Sequence, residues 1–179
     1  MANKVSFSGK ERELALIALH HQDTVESVKA YFSQQSPQFT VRFAGYTSAE
    51  VTAELLERLE ELEFSSSLTA LAALEAAFRV DYLQRCYTKR KDDLSRAFRA
   101  LYKTYETRVS LDEQIFEAWK EQSDVSTTLI GQIRSAFKFR HWLAHGRYWQ
   151  PKFGRDYDYS TIYLIVDLAL KSFPFEGRA

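Results

Sequence analysis

Apolar positions recur at helical spacing along most of the chain. Leu14, Ile17, Ala18 and His21 share one face of a first helix, with Ser8 as its expected N-cap and an end near residue 21. Asp23 is placed to cap a second helix over 24–33. Between residues 34 and 46, Pro37 and Gly45 flank Phe39-Thr-Val-Arg-Phe43, which alternates like a short strand or an extended connector. Thr47 and Glu50 have the spacing of a capping box and open a helix to about residue 62, where Ser65-Ser66-Ser67 breaks or restarts the pattern. A strongly apolar helix over 68–87 follows, carrying Leu71, Leu74, Phe78 and Leu83. Asp92 starts the next, with Leu94, Phe98, Leu101 and Tyr105 at core spacing. Ser110 with Glu113 suggests another capping box, and Ser126 opens a longer helix. A loop rich in aromatic and basic residues spans 147–158. Ser160 is the expected cap of a last helix over 161–173, with Ile162, Leu164, Ile165, Leu168 and Ala169 as its core face. The pattern predicts one all-α domain: an N-terminal helical appendage over 1–46, packed on a helical unit over 47–179.

Composition supports this reading, with 179 residues, 45% of them hydrophobic, but only six glycines and three prolines. Net formal charge is zero, so no global attraction to nucleic acid or membrane is expected. The charges are unevenly spread, however. Glu50, Glu54, Glu57, Glu60, Glu61 and Glu63 face only Arg58, most simply as a solvated acidic face. From Val125 to Arg155 there is no Asp or Glu, whereas Arg134, Lys138, Arg140, Arg147, Lys152 and Arg155 are cationic. Cys86 is the single cysteine, which excludes an internal disulfide and fits a reducing compartment. No apolar run approaches the roughly 18 residues of a membrane span, and no signal-peptide pattern opens the chain. A cytoplasmic protein with no membrane partner is expected.

Candidate chemistry concentrates in Phe137-Lys-Phe-Arg-His-Trp-Leu-Ala-His-Gly-Arg-Tyr-Trp149. On a wheel of about 100° per residue, Arg140 lies within the face of Leu129, Ile133, Ala136, Leu143 and Ala144. A guanidinium there requires a partner, water or an interface. Glu75 and Arg79, at i,i+4 spacing, read either as an exposed pair or as a support for Arg140. His145 follows about 140° around the wheel, and Gly146 is a natural helix stop in the left-handed conformation. A His that titrates near neutrality and an Arg that grips phosphate suit RNA cleavage by the 2′-hydroxyl. That reaction needs a base, an acid and a cation. A two-fold dimer through the face around Arg140 would supply two copies of each group without metal or other cofactor. Structural roles compete: an ion pair at Arg140, and a helix C-terminal His145 favoured by the macrodipole. His141 and His145 also have i,i+4 metal-ligand spacing, but no third ligand is evident. Tyr148, Trp149, Phe153, Tyr157 and Tyr159 could stack on unpaired bases or simply pack. His20 and His21 read as structural.

Arg140-His141-Trp-Leu-Ala-His145-Gly146 resembles the Arg-x4–6-His motif of the HEPN superfamily of helical ribonucleases, including its RiboL-PSP-like branch. A polar residue usually follows the Arg in that family, and His141 occupies that place. The resemblance is sharp over about 126–173, extends plausibly from 48, and is absent over 1–46. It implies a HEPN-like helical bundle, here with an N-terminal helical extension. It also implies a metal-independent endoribonuclease of a toxin–antitoxin or phage-defence, abortive-infection setting. Its composite active site would lie at a homodimer interface, with RNA as substrate and an antitoxin as a further partner. On that basis Arg140, His141 and His145 are the expected catalytic residues, with Arg147, Tyr148 and Lys152 binding substrate. The alternative is a catalytically silent HEPN-like dimer that binds RNA, nucleotide or a partner protein. In the subgroup paired with a nucleotidyltransferase antitoxin, a Tyr stands two places after the His. Here that place is Arg147, so neither that modification nor that partner carries over.

Overall fold

Thr47 opens a helix that does not stop at the serine run. In the computed structural model, which describes residues 4–177, its hydroxyl accepts from the Glu50 N–H while the Glu50 carboxylate receives the Thr47 N–H. The resulting helix, α3 (Ser48–Thr88), has 41 residues and runs for about 60 Å at 1.5 Å per residue. The expected break at Ser65-Ser66-Ser67 is therefore overturned. Ser65 and Thr69 return their hydroxyls to carbonyls of the preceding turn, Ser66 Oγ meets His21 Nδ1 outside the helix at 2.9 Å, and Ser67 Oγ is buried without a partner. Ser66 and Ser67 are buried, small enough for close packing against neighbouring helices.

Those neighbours include α1 (Leu14–Tyr31) and α7 (Tyr159–Ser172), which pack on α3 and touch each other. One helix replaces the two expected before residue 34. Ser8 does not cap it, and Asp23 lies inside it. Thr24 and Ser27 donate to the His20 and Asp23 carbonyls, and no Gly or Pro interrupts the segment. The alternation at Phe39–Phe43 likewise forms no strand. It forms the short α2 (Phe39–Arg42), whose aromatic neighbours Phe32, Phe43 and Tyr46 cluster beside the start of α3. Leu14 and Ile17 of α1 join the main core.

Helix α4 (Asp93–Tyr105) and a π-turn at Leu111–Ile115 also pack on α3, and α5 (Phe116–Gln122) packs on α4. Asp92 caps α4 through the Ser95 N–H, as expected. At Ser110 the capping box is only half formed: its hydroxyl accepts from the Glu113 N–H, but Gln114 takes the Ser110 N–H. The wider turn brings Gln114 into reach in place of Glu113.

Helix α6 (Thr127–Ala144) is capped by Ser126. With the other helices it completes an all-α fold of seven α-helices among the described residues, with no strand. The core centres on edge-to-face rings: Phe78 with Phe116, Phe173 and Phe175, and Trp119 with Phe98 and Phe173. Beneath them, buried Asp81 accepts through one oxygen from Arg85 Nε at 2.8 Å and the Glu176 N–H at 2.7 Å. Arg85 also donates to the Pro174 carbonyl, so the segment after α7 is pinned to α3. Among the described residues no helix is long and apolar enough to cross a membrane.

Asp158, two residues before the expected Ser160, caps α7 through the Thr161 N–H. Ile162, Ile165, Val166 and Ala169 are its buried positions, whereas Leu164 and Leu168 are 65% and 48% exposed. The core expectation for those two leucines is wrong because they occupy the helix flank beyond the narrow stripe that meets α3 and α6. Cys86 is buried, and burial pushes its thiol up to about 12, which suits packing and not nucleophilic chemistry.

Candidate active site

Helix α6 ends as its sequence predicts. His145 is the C-cap, and Gly146 takes φ +78°. The Gly146 and Arg147 N–H groups return to the Leu143 and Trp142 carbonyls at 3.3 and 3.1 Å, the paired bonds of a Schellman motif. Arg147 itself is left-handed, at φ +58°, so the chain turns sharply. The following loop is tied back where Trp142 Nε1 donates to the Trp149 carbonyl at 2.8 Å.

This closure sorts the candidate residues into two sets. His141 and His145 lie one turn apart with ring centres 4.2 Å apart, and Trp149 packs 5.8 Å from His141. Both histidines are exposed. Lys152 lines a groove of about 430 Å³ that also contains His141. Tyr148 is 84% exposed and meets Trp149 edge-on. The histidines, Trp149, Tyr148 and Lys152 thus cluster on the loop side of α6.

Arg140 and Arg147 instead turn toward α3. Arg140 Nη2 lies 2.9 Å from Glu75 Oε2, and the other Glu75 oxygen receives Arg79 Nε at 2.8 Å. Arg140 Nε is buried without a partner. Of the two sequence readings of Glu75 and Arg79, the support for Arg140 is the one found, and the exposed pair is overturned. Arg147 reaches Glu61 at 2.8 Å, and its guanidinium lies 4.9 Å over the Phe64 ring. The acidic stretch of α3 is therefore not merely solvated. Glu61 holds Arg147, Glu54 holds Arg42, and Glu63 accepts the Tyr159 N–H at 2.7 Å. Ala144, expected on the apolar face, is exposed at the helix end.

Arg134, Phe137 and Lys138 of α6 also line the groove, together with Trp149 and Phe153 of the loop. With His141 the three α6 residues fall at i, i+3, i+4 and i+7, so the same helical periodicity that located Arg140 marks them as one stripe. Asp112 lies at the groove's edge, paired with Arg134 at 2.9 Å. His21 is structural: its Nδ1 lies 2.9 Å from Ser66 Oγ, and its ring packs 4.0 Å from that of Tyr159.

Two adjacent imidazoles can exchange protons with a bound phosphodiester, and the flanking lysines can neutralise it. They also have the spacing of a two-His metal site, but no third His, Cys, Asp or Glu joins them among the described residues. Comparison with family models, characterised proteins and solved structures finds no match to this chain.

Proposed function

We propose that this chain is a HEPN-like, metal-independent endoribonuclease acting as a homodimer. The observation that carries the reading is the exposed His141–His145 pair at 4.2 Å, on the end of α6 and within the Arg-x4-His motif. In this reading the 2′-oxygen attacks the adjacent phosphorus while one imidazole accepts its proton. The P–O bond to the departing 5′-oxygen breaks as a second imidazole protonates that oxygen. The products carry a 2′,3′-cyclic phosphate and a free 5′-hydroxyl. His145 serves as base or acid, His141 orients or assists, and Arg140 stabilises the phosphorane charge.

Within one protomer Arg140 faces Glu75 and not the histidines. A two-fold dimer that apposes the two α6 ends is the arrangement that would bring an Arg140 guanidinium to the other copy's histidines. Tyr148 and Lys152 hold the flanking RNA, and Arg147 joins them on leaving Glu61. A cytoplasmic toxin–antitoxin or phage-defence role, with an antitoxin masking the site, is the setting this chemistry suits. The Arg140–Glu75 pair favours a second reading, a catalytically silent dimer that binds RNA, nucleotide or a partner protein.

Cleavage of single-stranded and structured RNA in excess chelator separates the two. Cyclic-phosphate products made by the wild type and lost in folded His145→Ala are the expected result. No difference between the two proteins across a broad RNA panel would sink the ribonuclease reading.

A further inference from the structure

We infer that the groove between α6 and the 147–158 loop binds single-stranded RNA, with bases stacked on its aromatic wall and phosphates held by Lys138 and Lys152. Phe137, Lys138 and His141 form one wall, and Trp149, Lys152 and Phe153 form the other. Of the groove's cations, Arg134 is already neutralised by Asp112 and Glu117. Lys138 and Lys152 are exposed and make no ion pair among the described residues. They are therefore available to an anion; no Asp or Glu lies between Val125 and Arg155, and the carboxylate that does line the groove, Asp112, is engaged by Arg134.

A bare anion would not use the aromatic wall. Bases would, because every base offers a face for stacking, and only unpaired bases present it. The loop side of the wall is preset: the Trp142–Trp149 hydrogen bond fixes the backbone at Trp149, which limits the ordering needed on binding. From Arg134 to His145 the stripe rises about 16 Å along α6, longer than one nucleotide. A strand lying in the groove would run directly onto the His141–His145 pair. Arg147, held by Glu61, does not line the groove and would reach the strand only on leaving Glu61.

The inference rests on the ribonuclease reading only for what happens at the histidines, not for the binding itself. The test uses the full chain carrying His145→Ala and a short fluorescent single-stranded RNA, titrated over a range of salt. Lys138→Ala and Lys152→Ala should each weaken binding and lower the salt slope by about 0.7. Trp149→Ala should weaken it about tenfold or more, and Trp149→Phe should retain most of it. Duplex RNA and inorganic polyphosphate should compete poorly.

Unchanged affinity and slope in the two lysine variants, or equal competition by polyphosphate with no effect of Trp149→Ala, would overturn the groove. Cleavage assays with otherwise wild-type protein keep the two ideas apart. Groove-dependent binding without cleavage removes the ribonuclease reading alone, whereas cleavage with unaltered KM in the groove variants removes the groove alone.

Discussion

Glu75 divides its carboxylate between two guanidinium groups: Arg79 Nε at 2.8 Å on its own helix and Arg140 Nη2 at 2.9 Å across the α3–α6 contact. Arg140 is 33% exposed and Glu75 is 19% exposed, so the pair is neither a surface pair nor a dry one. Replacing Arg140 by Ala should cost about 1–2 kcal/mol in urea unfolding, through lost packing of its stem and a Glu75 left with Arg79 alone. Glu75→Gln keeps the shape and releases the charge. If Arg140 works on phosphate, Glu75→Gln should preserve or raise RNA cleavage while Arg140→Ala abolishes it. Equal stability losses with no change in cleavage from either substitution would make Arg140 structural.

The exposed histidines invite the opposite test. His141→Ala and His145→Ala touch little of the core, so each should shift unfolding by no more than about 0.5 kcal/mol. Loss of a general acid or base should lower cleavage about 10²–10⁴-fold. A large stability loss in either variant would assign the ring a packing role that its exposure does not suggest.

Much of this architecture is legible in the residues. Thr47, Asp92 and Ser126 cap the helices they were expected to cap, because each carries a short oxygen side chain just before a helical apolar pattern. The end of α6 at Gly146 is similarly local. What failed was continuity. Asp23 and Ser65-Ser66-Ser67 have the chemistry of helix ends, but their neighbours Thr24, Ser27 and Thr69 bond back within the helix, and packing across α1, α3 and α7 favours unbroken rods. The site was half legible. Periodicity placed Arg140 toward a neighbour and His145 away from it. The i,i+4 spacing offers Glu75 as one of two readings for Arg140, but which reading holds, and that Glu61 claims Arg147, depends on how α3 crosses α6, which no local pattern encodes.

Gly146 tests the helix stop. Its φ of +78° lies in the left-handed region, and a Cβ there would meet nothing within 4 Å. Gly146→Ala should therefore cost about 1 kcal/mol from backbone conformation alone. If the Schellman turn sets the direction of the loop, the variant should also weaken RNA binding through Trp149 and Lys152. Thermal unfolding and the RNA titration would report the two effects separately, and an unchanged melting temperature would show that another turn can replace this one at no cost.

A partly buried His21 and a buried Asp81 give stability a crossed dependence on pH. His21 is held below its ordinary 6.5, chiefly because burial outweighs the attraction of Glu63. As pH falls below 6.5 the unfolded chain takes up a proton that the folded His21 resists, so stability declines until the lower folded value is reached. Asp81 behaves in the other direction. Burial raises its carboxyl from 3.8 to about 6, against the pull of the Glu176 N–H and Arg85. Below about 6 the folded state protonates first, so stability rises as pH falls toward 3.8. Glu50, Asp92 and Asp158 are held below their ordinary values, so their contributions fade only below about pH 4.5. The two opposing slopes overlap below about pH 6, down to the lowered folded value of His21. Urea midpoints of the wild type should change little across that window. His21→Gln should leave the Asp81 slope and make the protein relatively more stable at the lower pH, while Asp81→Asn should leave the His21 slope and make it less so. Parallel profiles for the two variants would mean that neither group titrates where its burial places it.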